Sequence, residues 1–259
     1  LELNGKTALV TGSAKGLGKR TALQLAQQGS HIVINYFKSE QEAQQTKKEI
    51  EQLGVSATIV QADLSTPEGA TKLADEAASW RGGIDILVNN AGPFVRERRL
   101  FADYDIAAIS DMLNSNLLSV MLLDHKLLSG MRSRGWGRII HFGFGHAGEA
   151  RSWPHRAVYA AAKTGLVSFT KSLAVEEAAY GITVNMIGPG DIRGANKERT
   201  IAEVEGHEDE ESPLGRPGTG EDVARVITFL CERRSDFLTG NIINVTGGFD
   251  PIRPNIKGL

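Results

Sequence analysis

Cysteine is almost missing from this chain: Cys231 stands alone among 259 residues, so no intrachain disulfide framework exists and stability must come from a core. A lone thiol fits a reducing, cytoplasmic setting. Proline is scarce, with 8 residues, and no proline- or serine-rich stretch splits the chain. Charge of one sign is absent too, because 29 Lys+Arg face 31 Asp+Glu for a formal net charge of −2. A nucleic-acid partner, which needs clustered Lys and Arg, is therefore not expected. No apolar run in the sequence approaches the roughly 20 residues that cross a bilayer, so no membrane is expected either. Strand-like residues 6–11 follow directly on the first five, without a signal peptide's apolar core. What remains is 41% hydrophobic and 23% charged residues. That is enough apolar content for a sizeable core and too much for a disordered chain.

Short runs rich in Val and Ile recur at residues 6–11, 31–35, 57–61, 84–88, 138–142, 182–187 and 241–245. Most do not alternate with polar residues, the pattern of strands buried on both faces. Helical spacing fills the gaps. In 17–29, Ala22, Leu25 and Ala26 share a face and Gly29 makes a natural stop. Residues 40–54 and 65–80 read similarly, and in 220–232 the stripe is Val223, Val226, Ile227 and Leu230. Strand–helix alternation predicts an α/β fold: a doubly wound parallel sheet with right-handed crossovers and helices on both faces. The whole of 1–259 reads as one domain. One polar, acidic segment at 193–217 breaks the pattern and is expected to be a mobile substrate loop.

The first strand runs into Gly12-Ser13-Ala14-Lys15-Gly16-Leu17-Gly18, and a helix begins at once. Glycines there allow a tight turn and close approach of a phosphate, while the helix start offers unpaired N–H groups and a positive dipole end. Asp63-Leu64, Asn90-Ala91-Gly92 and Pro189-Gly190 end later strands on the same edge, where ligands of doubly wound sheets bind. Singly, each is ordinary turn chemistry; together they outline a dinucleotide site. The second strand ends in Asn35 and Tyr36, followed by Lys38 and Ser39, with no carboxylate before Glu40 to hold a ribose diol. Lys15 and Lys38 can both face a 2′-phosphate, which favours NADP(H) over NAD(H). The plain alternative is two solvated lysines.

Tyr159 and Lys163 lie four apart in a long helical pattern, on one face. A phenol titrates near 10 in isolation, and a neighbouring ammonium lowers that value. The pair is thus expected, together with a second cation on the nicotinamide and partial desolvation, to make an acidic hydroxyl for proton transfer, provided it faces the nucleotide site.

These residues carry a resemblance. Residues 11–18, the 89–92 Asn-Asn-Ala-Gly turn, Asn116, the 159–163 Tyr-Ala-Ala-Ala-Lys run, 189–192 and the closing stretch 215–248 together resemble the short-chain dehydrogenase/reductase family. Within it the chain is similar to the β-ketoacyl carrier-protein reductase branch. The resemblance implies a seven-stranded Rossmann-type sheet, a homotetramer built partly through two long helices, and a small carbonyl or acyl substrate. It implies that Tyr159 donates the proton in reduction, that Lys163 binds the nicotinamide ribose and tunes Tyr159, and that Asn116 holds a water. Ile192 would meet the nicotinamide carboxamide through its backbone.

One member of the family pattern is missing. A serine normally follows the fifth strand, but the slot falls on Phe144 counted forward from Ile140 and on His146 counted back from Tyr159. His146 can offer an N–H in its place or be a plain loop histidine. The sequence therefore points first to an NADP(H)-dependent carbonyl reductase/alcohol dehydrogenase. A dinucleotide-binding protein that has lost catalysis and serves as sensor or assembly partner is the alternative.

Overall fold

The computed structural model describes residues 1–94 and 98–252. The seven apolar runs become β1 (Thr7–Val10), β2 (His31–Tyr36), β3 (Ala57–Gln61), β4 (Ile86–Asn89), β5 (Gly137–Phe142), β6 (Ile182–Pro189) and β7 (Ile242–Val245). They form one sheet in the order β3-β2-β1-β4-β5-β6-β7, with every pair parallel. The order reverses between β1 and β4, so the chain diverges there and opens a crevice beyond the strands' carboxyl ends.

Side chains alternate across the sheet and feed two cores. Ala8, Val10, Ile34, Val88 and Ile140 pack under α1 (Gly16–Gln27) and α7 (Gly220–Cys231) through Ala22, Leu25, Val223 and Ile227. On the other face, Leu9, Val33, Leu87 and Ile139 meet α3 (Pro67–Ser79), α5 (Ser119–Arg134) and α6 (Ala157–Glu177). Full burial of such side chains stabilises by roughly 1.5–3 kcal/mol each. The strands in the middle of the sheet are buried on both faces as the sequence suggests, whereas the edge strands β3 and β7 are only partly covered.

Local chemistry sets the helix ends. The hydroxyl of Thr66 accepts from the Gly69 N–H and Pro67 takes the first position of α3. Thr219 and Asp222 make a reciprocal capping box at the start of α7. Between β2 and β3 lies α2 (Glu40–Glu51), and α4 (Ile106–Leu113) precedes α5.

A five-residue π-turn, Asn114–Leu118, joins α4 to α5 in a continuous helical stretch, Ile106–Arg134, long and apolar enough to cross a membrane by composition alone. Its polar residues are dispersed, so no unbroken apolar run shows in the sequence. It packs against α3, α6 and β5 as a core helix, with the rest of its apolar surface facing outward.

Segment 193–217 has two short 3₁₀ turns, Gly194–Lys197 and Ala202–Val204, and is tied down at several points. The Ile201 N–H donates to Glu221, Arg216 forms a two-pronged ion pair with Asp222, and Arg193 reaches Glu211.

Candidate active site

The carboxyl edge of the sheet is sewn together by side chains of the predicted site residues. Gly12, in the left-handed region at φ +62, donates its N–H to the buried Asn35 Oδ1 at 3.1 Å. Asn35 Nδ2 in turn donates to the carbonyls of Val60 and Ala62, linking the ends of β2 and β3. Ser13 Oγ bonds back to the Val10 carbonyl, and Asn90 Nδ2 donates to the Thr11 carbonyl at 2.8 Å. Gly18 can be nothing larger: a Cβ there would stand 2.5 Å from the Gly12 carbonyl oxygen. Asn35 and Asn90 thus act here as pins for the glycine turn.

Lys15, which has no side-chain bond to cap α1, pairs instead with Glu42 at 3.7 Å, and Lys38 lies over the Phe37 ring at 5.2 Å. Asp63 accepts from Ser65 in a local turn, Leu64 is buried under it, Tyr36 is buried, and Ser39 precedes α2. Gly190 approaches Thr246 so closely that a Cβ would lie 2.9 Å from its Cα, and Ile192 is buried beside it. A cavity of about 90 Å³ follows, bounded by Gly190, Ile192, Glu211, Arg216 and Thr246.

Tyr159, Lys163, Asn116 and Gly92 converge at the mouth of this edge. Lys163 is buried and donates to the Phe142 carbonyl at 2.8 Å. Asn116 sits in the π-turn, a kind of irregularity concentrated at functional sites. Its Nδ2 donates to the Pro93 and Met112 carbonyls, while its Oδ1 is buried without a partner among the described residues. A Cβ at Gly92 would reach within 2.5 Å of that Oδ1 and 3.6 Å of Lys163 Nζ. Glycine at 92 therefore keeps open the space between an unpaired acceptor and an ammonium.

Tyr159 is walled by aromatic rings: Phe94 edge-on at 5.2 Å, Phe144 at 5.9 Å and Trp153 at 6.1 Å between centroids. Burial pushes its phenol above the ordinary range, and burial lowers the Lys163 ammonium to about 8. Lys163 by itself does not acidify the phenol; the expected acidification also counts the positive charge of a bound nicotinamide. The ammonium lies 6.0 Å from the ring centroid and is engaged by a carbonyl, so desolvation by the rings outweighs attraction. Both groups are consequently in their proton-bearing forms at neutral pH.

Of the two residues counted to the serine slot, Phe144 packs on both Trp153 and Tyr159. His146 is turned elsewhere. Its backbone is left-handed at φ +68, its N–H donates to Asn244, and its Nδ1 lies 2.7 Å from Glu149.

Sequence reasoning also missed Glu198. From the polar segment it returns to α1, where its Oε1 accepts from the Gly16 N–H at 2.7 Å and its Oε2 lies 3.5 Å from Lys19. A carboxylate thus sits on the helix start where a phosphate would bind. Its neighbours in sequence carry no signal that it should fold back so far.

The glycine cradle, the α1 N-terminus and the unpaired Asn116 acceptor beside Lys163 fit a nicotinamide dinucleotide. Comparison with known proteins agrees. A family model described as "Enoyl-(Acyl carrier protein) reductase" matches residues 12–250. "Putative oxidoreductase YtkK" of Bacillus subtilis is 41% identical over 249 residues, covering 96% of this chain and 98% of that one. "3-oxoacyl-[acyl-carrier-protein] reductase FabG" of Aquifex aeolicus is 35% identical over 96% of this chain and 98% of its own. Among solved structures, a "putative 3-oxoacyl-reductase" from Bacillus thuringiensis superposes with a TM-score of 0.89 at 43% identity, covering 96% and 99% of the two chains. A blue fluorescent protein from a metagenomic library, in complex with NADPH, does so at 0.84 and 30% identity, covering 96% and 99%. The chain belongs to the short-chain dehydrogenase/reductase family of oxidoreductases, on its 3-oxoacyl carrier-protein reductase-like branch.

Proposed function

We propose that this enzyme is an NADP(H)-dependent reductase of carbonyl compounds, of the 3-oxoacyl type, working in a reducing cytoplasm. When bound, the nicotinamide supplies the hydride. Gly12, Ser13, Lys15, Gly16, Leu17 and Gly18 would hold the pyrophosphate. Asn35, Tyr36, Lys38, Ser39, Asp63 and Leu64 would line the adenosine, with Lys15 and Lys38 toward its 2′-phosphate. Asn90, Ala91, Gly92, Pro189, Gly190 and Ile192 would flank the nicotinamide side.

Tyr159 gives its proton to the carbonyl oxygen as that oxygen gains charge. A phenol kept neutral by burial suits this donor role better than the base role that alcohol oxidation demands. Lys163 resupplies the proton, since an amine lowered to about 8 is protonated at neutral pH yet parts with its proton readily. Asn116 Oδ1 would hold a water linking Lys163 to solvent. His146 would reach a substrate only by leaving Glu149. With Phe144 in the serine slot, Tyr159 is left as the donor to the carbonyl, and the rings of Phe94, Phe144 and Trp153 favour a flat, apolar group beside it.

The observation that carries the reading is that Asn116 Oδ1 and Lys163 Nζ meet at Gly92, at the edge of the glycine turn, with the Tyr159 ring centroid 6.0 Å from that Nζ. Tyr159→Phe tests it: NADPH binding by fluorescence should be retained while ketone turnover drops about 10²–10⁴-fold. Undiminished turnover in that variant would remove Tyr159 from the mechanism. Tight NADPH binding by the wild type with no turnover on a broad ketone panel would favour the sensor reading. A homo-oligomer, a tetramer by analogy with the family, is supported by the apolar outer surface of α4 and the π-turn after it, where Ile106, Leu113 and Leu118 are exposed.

A further inference from the structure

One layer beneath the site lies a fully buried acid–base pair that the mechanism above does not use. His141 on β5 and Asp124 on α5 are 0% and 1% exposed, with His141 Nε2 2.8 Å from Asp124 Oδ2. Hydrogen-bond bookkeeping assigns the protons. Thr170 Oγ1 has one hydrogen, which it donates to the Leu166 carbonyl at 2.7 Å. Toward His141 Nδ1, 2.8 Å away, it can only accept, so Nδ1 carries a proton. One further proton then occupies the line between Nε2 and Oδ2. The other carboxylate oxygen of Asp124 accepts from Asn89 Nδ2 at 2.9 Å. Phe169 stacks on the imidazole at 5.8 Å and 20°, closing the site to water.

We infer that Asp124 and His141 are positioning residues: a proton-sharing clamp by which α5 grips the carboxyl ends of β4 and β5 together. Asn89 and His141 are register partners on adjacent strands, and one carboxylate binds both. Each immediately precedes a residue on which the site depends. After Asn89 comes Asn90, whose amide pins the glycine turn. After His141 comes Phe142, whose carbonyl holds Lys163. The clamp therefore sets the separation between the cofactor turn and the proton donor's lysine. It rests on the oxidoreductase reading given above.

Asp124→Ala and Asp124→Asn separate this role from mere support. An amide at 124 keeps each of these hydrogen bonds, donating to Nε2 and accepting from Asn89, whereas alanine cuts both. The NADPH dissociation constant and kcat are measured on the intact chain well below its melting temperature. Asp124→Ala should weaken NADPH and lower kcat by about tenfold each, since sub-ångström to 1 Å misplacements carry losses of that order or greater. Asp124→Asn should keep both within about twofold. Wild-type values in Asp124→Ala, or equal losses in the two variants, overturn the clamp while leaving the oxidoreductase reading intact. A wild type that takes up neither NADPH nor NADH overturns that reading, and the clamp with it. If Asp124→Ala does not fold, Asn89→Ala cuts the β4 side alone: weakened NADPH binding supports the clamp, and unchanged binding refutes it.

Discussion

Lys163 is a costly residue to place where it is. Burial holds its ammonium at about 8 against an ordinary 10.5, so between those values the native state binds fewer protons than the unfolded chain. Its contribution to stability therefore rises with pH through that window, and below about 8 the burial penalty stands in full. Lys163→Met should accordingly abolish most turnover without lowering the melting temperature at pH 7, measured by calorimetry. In the wild type, ketone reduction should fall as pH rises through about 8, where the amine loses the proton it relays; a flat profile would take Lys163 out of the relay. Phe144 makes the opposite trade. Phe144→Ser restores a hydroxyl beside Tyr159 and removes a ring that packs on Trp153. Ketone turnover should rise about tenfold or more, the order expected of one oriented donor. Stability should fall by about 3–5 kcal/mol, the cost of a ring-sized deletion in a core.

At the scale of elements, the segment after β6 competes with the ligand of α1. Glu198 lies on the Gly16 N–H, and removing it should favour a phosphate there. Glu198→Ala should tighten NADPH about two- to fivefold at low salt, the range of a charge at a helix terminus, and the gain should shrink as salt is added. Titration at two ionic strengths checks this, and weaker binding in the variant would make Glu198 a support for the turn instead. The segment's polar composition foretold that it would lie outside the sheet. That it returns to α1, and that β7 is exposed more than a doubly covered strand, depend on neighbours that local pattern does not encode.

For the whole molecule, α4 and the π-turn after it present Ile106, Leu113 and Leu118 to solvent on a helical stretch that packs against α3, α6 and β5 along its other side. Replacing Leu113 and Leu118 together with Glu should shift sedimentation toward a smaller species, since charges in an apolar interface are costly to desolvate. An unchanged profile would move the interface elsewhere. The chain's alternation of buried runs and amphipathic stretches made the layered sheet legible, because period and turn chemistry are local properties. The glycine turn, Asn90, Tyr159 and Lys163 were legible for the same reason: their spacing alone brings them to one edge once the strands are parallel.

Two matters lay beyond spacing. The sequence determined that Tyr159 and Lys163 share a helix face, but the rings of Phe94, Phe144 and Trp153 decided that the phenol is desolvated, so that the ammonium alone does not acidify it. Likewise His141 and Asp124 stand 17 residues apart as unremarkable polar letters, and only the packing of α5 on β5 makes them one proton-sharing pair. Ionisation depends on dielectric and on distances between remote segments, and those exist only after the chain has folded.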